Sequence, residues 1–377
     1  MRRRVHIWFI ALFFAALVLP FPLFWLLQGG LDTSNHENRA LTTWQDVAEA
    51  PWREKTAVFE DMLGDHAAFR NQFMTLNAAF NYRLFGTVQS SEVLLGREEW
   101  LFYKNVSDSR SLDDYQGLNP YSPAQLDQIA ADLSALQQLL AQRGVQLVLL
   151  VAPNKEGVYS EYMPAGVPQV GATKAQLLVQ HLQENTSVPV VFPQAELREA
   201  AGQVQVYYKQ DTHWNGAGAL VACRALQAAL GQDVSAFDGV RFVPGGAPKR
   251  DLADISATYT VLKPDSEVEV QGFLEQNTLQ GPVAEDEMGY RMSAACPQAQ
   301  GSLVMLRDSF GEGMIPYLSK CYESSLYLHI NAFDEAAVDG LENCVFVFEL
   351  AERNTDRLLD YLPRICLLYT SPSPRDA

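Results

Sequence analysis

Two segments of the chain contain residue types used in nucleophilic and acid–base chemistry. The segment from Tyr207 to Asn215 contains Asp211 and His213, and the segment from Leu303 to Gly311 contains Ser309. A serine becomes a nucleophile when a neighbouring base accepts its proton, and histidine titrates in the right range. A carboxylate two positions before the histidine can hold one ring nitrogen and leave the other for the serine. The sequence therefore predicts a Ser-His-Asp triad.

His213 is selected because, of the six histidines, it alone ends a predicted strand with a carboxylate two residues before it. A structural alternative stays open for both segments. Residues 211–214 also fit a turn with a helix cap, and Asp308 with Ser309 also fits the cap of the next helix. Spacing by itself does not separate these two interpretations.

Apolar runs and helical patterns alternate along the chain from Ser122 onward, which indicates an α/β fold with a mostly parallel sheet flanked by helices. Ligands in such sheets bind beyond the carboxyl ends of the strands, where both segments lie. The stretch of about 242–300 breaks the alternation and is predicted to be an inserted lobe of β structure and loops. The predicted strands span residues 145–152, 188–192, 204–208, 302–306, 325–328 and 345–350.

The N-terminus has the pattern of a membrane anchor. Arg2, Arg3 and Arg4 precede an apolar run from Val5 to Leu27, which is long enough to span a bilayer as a helix. Basic residues before such a run predict a cytoplasmic N-terminus and an exported remainder. A cleaved signal peptide is the alternative, but no clear cleavage site follows the run. We therefore expect a single-pass protein of the cell membrane with an extracytoplasmic catalytic domain.

The last residues, Cys366–Ala377, resemble a translated sequencing-adapter tail and are predicted to be non-native. Four cysteines remain, and the one pair considered for a disulfide is Cys296 with Cys321, because Cys223 and Cys344 lie in patterns typical of buried thiols. No Cys/His spacing fits zinc, so no metal and no cofactor are predicted.

Composition limits the partners. Lys plus Arg total 28 and Asp plus Glu total 45, which gives a net charge of −17, and 48% of the residues are apolar. The apolar fraction supports a packed core. The acidic balance disfavours nucleic acid, whose binding proteins carry basic faces.

A series of motifs, taken in order, resembles the DHHW family and the AlgJ- and AlgX-like SGNH-hydrolase-like polysaccharide O-acetyltransferases. The resemblance covers about residues 37–353. Its central motif is Asp211-Thr212-His213-Trp214-Asn215, and the nucleophile block is Asp308-Ser309-Phe310-Gly311. The other matching blocks are Glu37-Asn38-Arg39, Asp65-His66 with Phe69-Arg70, Gly96 to Tyr103, Ala152 to Lys155 with Tyr159 and Pro164, Arg250-Asp251-Leu252, and Glu349 to Arg353.

The resemblance implies a role for each matching residue. Ser309 would be the acyl acceptor, His213 the general base and Asp211 its orienter. Further residues stay open between two roles. Asn154 is an oxyanion donor or a turn residue, Lys155 and Arg353 are substrate contacts or salt-bridge partners, and Tyr208 and Trp214 stack on sugars or belong to the core. Arg307 and Arg250 stand where the family has glycine; Arg307 either crowds the site or binds an anionic sugar or the acetyl donor.

The resemblance also implies the activity and the partners. A membrane-bound O-acyltransferase (MBOAT) would deliver the acetyl group. That group would then move through Ser309 to a hydroxyl of a cell-surface or secreted polysaccharide. A carbohydrate acetylesterase with the same triad and a non-catalytic polysaccharide-binding or assembly protein are the alternatives. The predicted domains are a signal anchor (1–28), a membrane-proximal segment (29–119), a catalytic domain (120–365, insertion about 242–300) and the tail (366–377).

Overall fold

The structure is a computed structural model, which describes residues 2–36, 40–104, 110–286, 288–333 and 338–370. The Glu37-Asn38-Arg39 motif lies outside the described residues. The α-helices are α1 (Arg2–Val18), α2 (Pro20–Leu27), α3 (Trp44–Glu49), α4 (Lys55–Asp65), α5 (Arg70–Phe85), α6 (Ser111–Gln116), α7 (Pro123–Ala141), α8 (Lys155–Val158), α9 (Lys174–Asn185), α10 (Gln194–Ala201), α11 (Gly216–Ala229), α12 (Asp251–Ile255), α13 (Ile315–Cys321) and α14 (Leu358–Thr370).

The strands are β1 (Val93–Leu95), β2 (Leu101–Tyr103), β3 (Gln146–Ala152), β4 (Val190–Val191), β5 (Arg241–Pro244), β6 (Val268–Gln271), β7 (Gln280–Ala284), β8 (Arg291–Ala295), β9 (Ser302–Arg307), β10 (Ser324–His329) and β11 (Val345–Ala351). The chain forms two compact units. One contains residues 1–93 and 251–263, and the other contains residues 94–250 and 264–377. The domain boundaries predicted from the sequence stay a prediction.

The first unit begins with the apolar helices. Within the described residues, the segment His6–Gly30 is the one stretch long and apolar enough to cross a membrane, with a mean hydropathy of 2.4. Pro20 starts α2 after a break at Leu19, because proline lacks the N–H that a continuing helix needs. Residues 55–85 form two helices, α4 and α5, and not one, because Phe69 between them has a φ of 59°, which a right-handed α-helix does not accommodate.

Segment 251–263 belongs to the first unit. The Tyr259 hydroxyl lies 3.2 Å from Thr75 Oγ1 on α5, and the Tyr259 ring stacks on His36 at 4.5 Å. These contacts fasten the segment to α5 within the first unit.

The second unit contains a seven-stranded sheet in the order β4-β3-β11-β9-β10-β8-β7. The strands from β4 to β10 are parallel, and β8 and β7 extend the sheet antiparallel. The sheet is thus mixed. The predicted loop-rich stretch 242–300 contributes those two strands to the sheet, while β5 pairs with β6 in a separate ribbon.

Both faces of the sheet are covered. On β3, Leu147, Leu149 and Val151 pack with α7, α9 and α14, while the alternate residues pack with α11 on the other face. Successive side chains of a strand point to opposite faces, so a strand buried on both sides reads as a continuous apolar run. This is why the run at residues 145–152 predicted its strand.

The predicted strand at residues 204–208 is wrong. Tyr207 makes an isolated antiparallel bridge with Trp214, the Tyr208 N–H donates to the His213 carbonyl, and the Asn215 N–H donates to the Val206 carbonyl. The backbone groups that would join the sheet are therefore used inside a closed loop, which carries the Asp211-His213 motif.

The five cysteines are all free thiols, so Cys296 and Cys321 are not bonded to each other. The predicted boundary of the tail falls inside α14. There Cys366 Sγ lies 3.5 Å from the Asp132 carbonyl and Leu368 packs against the core, while residues 371–377 lie outside the described residues.

Candidate active site

Three side chains form a hydrogen-bonded chain in the second unit. His213 Nε2 lies 2.9 Å from Ser309 Oγ, and His213 Nδ1 lies 2.7 Å from Asp211 Oδ1. With the proton on Nδ1 held by the carboxylate, Nε2 is free to accept the serine proton. The Asp211 side chain is only 3% exposed and that of His213 is 21% exposed. A buried orienting carboxylate and an accessible ring are the arrangement that base-assisted nucleophilic attack needs.

The candidate nucleophile, Ser309, lies at the end of a central strand. Ser309 follows β9 and precedes the short 3₁₀ turn Phe310–Met314, as the sequence predicts. The sequence also allowed Ser309 to be a helix cap. In the structure, the Ser309 side chain makes no capping hydrogen bond. Asp308 caps the turn instead, since its Oδ1 accepts from the Phe310 N–H at 2.9 Å.

Hydrogen bonds to two carboxyl groups, those of Glu349 and Asp308, hold the turn that contains Ser309. Glu349 Oε2 accepts from the N–H groups of Asp308 (3.0 Å) and Gly311 (3.1 Å). Asp308 Oδ2 accepts from the N–H of Ala351 and from Asn354 Nδ2, both at 2.7 Å. A β-carbon at Gly311 would lie 2.8 Å from Glu349 Oε2, so only glycine allows this close approach.

Glu349 is fully buried, and burial raises the pKa of its carboxyl well above the usual range, with the nearby Asp308 adding to the effect. Its Oε2 accepts from the two N–H donors of the turn.

Asn154 precedes α8 and comes two residues after β3, without a capping hydrogen bond from its side chain, and β11 separates β3 from β9 in the sheet. Its backbone N–H donates to Glu352 Oε2 at 2.8 Å, and the other oxygen of Glu352 accepts from Thr173 Oγ1 at 2.8 Å. Asn154 is 4% exposed, and its Oδ1 has no partner among the described residues. Buried amide groups normally have a hydrogen-bond partner, so the unpartnered acceptor Oδ1 is unusual.

Lys155 is buried, and its Nζ donates to three backbone carbonyls, those of Tyr208 (3.1 Å), Lys209 (3.2 Å) and Asp211 (2.6 Å). It does not line the cleft beside Ser309. It lies instead in the wall of a small cavity with Asn154 and Arg353, and the two roles predicted for it stay predictions.

The two predicted arginines differ in their surroundings. Arg307 is 2% exposed; its Nη1 donates to the Asp308 carbonyl at 3.1 Å and its Nη2 lies 3.9 Å from Met292 Sδ. Burial lowers the pKa of its guanidinium. Its φ is not in the left-handed region, so the position tolerates a side chain, and that side chain neither crowds the cleft nor faces it.

Arg353 lies over two aromatic rings, with its guanidinium carbon 5.0 Å from the centre of the Phe310 ring and 5.3 Å from that of Tyr103. Among the residues that the structure describes, none forms a salt bridge with it. Arg353 and Asn154 line the same small cavity, together with Thr212. A salt bridge, one of the two roles predicted for Arg353, is therefore absent within the described chain.

A cleft of about 510 Å³ opens beside the triad, within the second unit. Both His213 and Ser309 line it, and this size suits a small ligand or a sugar unit. Its aromatic wall consists of Tyr208, Trp214, Phe273, Phe310 and Tyr317, and its charged residues are Lys249, Glu267, Glu269, Glu312 and Lys320.

Tyr208 and Trp214, the two aromatic residues predicted to stack on sugars or to belong to the core, are both buried. Trp214 is 2% exposed, and its Nε1 donates to the Phe310 carbonyl at 3.0 Å. The Tyr208 hydroxyl donates to Glu267 Oε2. Both rings contribute to the cleft wall, but Tyr317, which is half-buried, offers more surface to a sugar.

The sequence analysis gave no role to several residues that shape the site. Glu349 and Glu352 lie in the Glu349–Arg353 block. Two acidic residues at the end of an otherwise apolar strand are unusual, and this pattern could have indicated that they belong to the site. Glu267, Phe273 and Tyr317 gave no such signal, because they come from segments without a motif.

The fold and the site define a class of protein, an SGNH-hydrolase-like α/β domain. Residues 93–256 match the family described as "SGNH hydrolase-like domain, acetyltransferase AlgX". The matched segment contains Asn154, Lys155, Asp211 and His213 and ends before Ser309.

The particular relatives agree with this class. The chain is 27% identical over 234 residues to a probable alginate O-acetylase AlgJ of Pseudomonas syringae, which covers 62% of this chain and 54% of that protein. The chain thus spans about half the length of this curated relative. The predicted resemblance to the DHHW family and to AlgJ- and AlgX-like proteins is confirmed.

Two solved structures share the fold. A DHHW family protein from Eubacterium siraeum has a TM-score of 0.51 at 13% identity, with coverage of 73% of this chain and 96% of that one. AlgX from Pseudomonas aeruginosa has a TM-score of 0.50 at 12% identity, with coverage of 75% and 67%. At this level of identity the likeness concerns the fold alone.

Proposed function

We propose that the protein is an extracytoplasmic O-acetyltransferase that moves an acetyl group through Ser309 to a hydroxyl of a polysaccharide. The observation that carries the proposal is the hydrogen-bonded chain Ser309–His213–Asp211 at a cleft lined by aromatic and polar side chains. The relatives named as alginate O-acetylases support a polysaccharide acceptor and an acetyl group as the cargo.

The first half-reaction loads the enzyme. Ser309 Oγ attacks the carbonyl carbon of the donor acetyl ester while His213 Nε2 takes the hydroxyl proton. The tetrahedral intermediate collapses, the bond to the donor oxygen breaks, and His213 returns the proton to that leaving oxygen. Acetyl-Ser309 remains.

The second half-reaction repeats these steps with a sugar. His213 takes the proton of an acceptor hydroxyl, whose oxygen attacks the acetyl carbon, and Ser309 leaves as the protonated hydroxyl. Asp211 holds the Nδ1–H and stabilises the imidazolium in both halves.

The negative oxygen of each tetrahedral intermediate needs hydrogen-bond donors. The Ser309 N–H and the Asn154 amide are the donors we propose, and Arg353 supplies positive charge from the neighbouring cavity. Removing one oxyanion donor typically lowers turnover about 100–1000-fold.

The proposed setting is the outer face of the cell membrane, with the apolar N-terminal segment as the anchor and an MBOAT protein as the source of acetyl groups. The long apolar segment His6–Gly30 supports the anchor. No cofactor or metal takes part in the proposed steps.

The test is an assay of purified protein with a chromogenic acetyl ester and a panel of oligosaccharides, with Ser309→Ala as the control. We expect an acetylated Ser309 by intact mass, and acetylated sugar that depends on Ser309. Release of acetate with no acetylated sugar in any of the mixtures would indicate an esterase. Binding of sugar without any ester turnover would indicate a non-catalytic binding protein.

A further inference from the structure

Lys155 has surroundings that a substrate contact or an ordinary salt-bridge lysine does not have. Its ammonium is buried with the side chain, and it donates to the carbonyls of Tyr208, Lys209 and Asp211. We propose that Lys155 is a positioning residue for the catalytic loop, acting through Asp211 and His213. The inference rests on the proposed function, because it assigns Lys155 a role within that reaction.

The ammonium donates hydrogen bonds to three carbonyls of one loop. They belong to the loop between Tyr207 and Trp214, which forms no regular strand. A buried carbonyl that loses a donor is destabilised, so loss of the ammonium would favour a loop conformation that turns these groups towards water. An ammonium has three N–H donors around one point, and three carbonyls that converge on it match this geometry. The planar guanidinium of arginine does not match it.

Two aromatic rings hold the ammonium from another side. Lys155 Nζ lies 5.4 Å from the centre of the Phe102 ring and 5.6 Å from that of Trp100. Both rings come from the β2 segment, and the Leu101 N–H also donates to the Lys209 carbonyl at 3.0 Å. Cation–π attraction is strongest when the cation is desolvated, as it is here. The β2 segment and Lys155 thus fix the same loop.

The backbone of Asp211 connects this arrangement to the chemistry. Asp211 is held at its carbonyl by Lys155, and its carboxylate accepts from both the His213 N–H (3.0 Å) and Nδ1 (2.7 Å). A shift of the Asp211 backbone therefore moves the carboxylate and turns the imidazole away from Ser309. Misplacement of a reacting group by about 1 Å can lower the rate about 100-fold.

Lys155 does not line the cleft beside Ser309, and in the small cavity that it shares with Asn154 and Arg353 its ammonium donates to the loop carbonyls, so its loss should affect kcat more than KM. A residue that only stabilises the fold would lower the amount of active protein and leave kcat per folded molecule unchanged. Values of kcat and KM measured per folded molecule therefore distinguish a positioning residue from one that only stabilises the fold.

Lys174 is a matched control. It is also a buried lysine over an aromatic ring, with its Nζ 4.4 Å from the Tyr121 ring centre, but it pairs with Asp356 Oδ2 at 2.6 Å and not with the catalytic loop. The experiment compares Lys155→Met with Lys174→Met by thermal unfolding and by steady-state hydrolysis of a chromogenic acetyl ester, with the concentration of folded enzyme measured by circular dichroism.

We expect Lys155→Met to lower kcat about 100-fold with KM close to that of the wild type, and Lys174→Met to lose thermal stability with kcat unchanged. We also expect Lys155→Ala to regain activity with added propylammonium and not with propanol, because only the ammonium restores the three donors. Equal kcat for the two methionine variants, once corrected for the folded fraction, would overturn the inference.

If Lys155→Met does not fold, Lys155→Arg takes its place, since it keeps the charge and the long side chain but not the three-fold donor geometry. A kcat equal to that of the wild type in Lys155→Arg would likewise overturn the inference. A different result would overturn the proposed function, namely wild-type ester turnover in Ser309→Ala. That result does not depend on the kinetics of the Lys155 variants.

Discussion

Ser309 Oγ lies 2.9 Å from His213 Nε2 although 96 positions of the chain separate the two residues. The serine follows β9, and the histidine lies in the loop before α11. This loop is tied to the nucleophile turn by Trp214, which donates to the carbonyl of the residue after Ser309. The two halves of the site are therefore held together by the protein and do not depend on a substrate to meet.

We expect Ser309→Ala and His213→Ala each to lower the hydrolysis of a chromogenic acetyl ester by about 1000-fold or more while the protein stays folded. Triad members act as a unit, so the double variant should be little slower than either single variant. Steady-state kinetics with thermal unfolding checks this. Wild-type turnover in Ser309→Ala would remove the triad assignment.

Asp211→Asn should lower the same activity less than His213→Ala does. The asparagine still accepts a hydrogen bond, and the Thr212 hydroxyl, 3.1 Å from Nδ1, can partly orient the ring. The measurement is kcat as a function of pH for the wild type and both variants. Full activity with an unchanged pH profile in Asp211→Asn would make Asp211 a turn residue only.

Glu349 supports the turn that contains Ser309. Two substitutions of Glu349 should distinguish the effect of its side-chain shape on stability from the effect of its hydrogen bonds. Glu349→Gln keeps the shape of the side chain and an acceptor oxygen for the two N–H groups, and should change the unfolding free energy by less than about 1 kcal/mol. Glu349→Leu leaves the N–H groups of Asp308 and Gly311 without an acceptor and should cost about 2–4 kcal/mol and most of kcat. Chemical denaturation and ester kinetics test the pair, and equal behaviour of the two variants would contradict this role.

Stability should fall as the pH rises from about 5 to about 7, because burial raises the pKa of Glu156 from 4.5 to about 7. Between these values the folded protein keeps a proton that the unfolded chain releases, so the free energy of unfolding decreases by up to about 1.4 kcal/mol per pH unit. This contribution is complete below the unfolded pKa and lost above about 7.

Glu156→Gln should flatten the slope, as measured by denaturant unfolding at several pH values. Glu196→Gln, at an exposed position on α10, serves as the control and should leave it unchanged. A slope in Glu156→Gln that equals that of the wild type would assign the pH dependence to other buried acids.

Removal of residues 1–28 should give a soluble protein with unchanged hydrolysis of a small ester, because the triad and the core around it belong to the second unit. Acetylation of polymer in cells should fall, since an anchor raises the local concentration of enzyme near a membrane-bound donor. Both activities are measured for the full chain and for the truncated one. Equal loss of both would mean that the apolar segment is part of the fold.

The sequence by itself predicted the layers of the fold and the motifs that contain the candidate site. The continuous apolar run at residues 145–152 is buried on both faces and becomes β3, and the motifs with Asp211, His213 and Ser309 were recognisable, although their spacing did not separate a triad from turn and cap residues. These features depend on periodicity and on neighbours in the chain, which the sequence displays directly.

The tertiary structure decided the rest. It placed Arg307 in the interior, gave Lys155 three carbonyl partners on a loop more than fifty positions away, and set Arg353 over Phe310. It also turned the predicted strand at residues 204–208 into a closed loop. Each of these outcomes depends on which distant groups fill a buried space and satisfy its hydrogen bonds, and local pattern carries no information about that pairing.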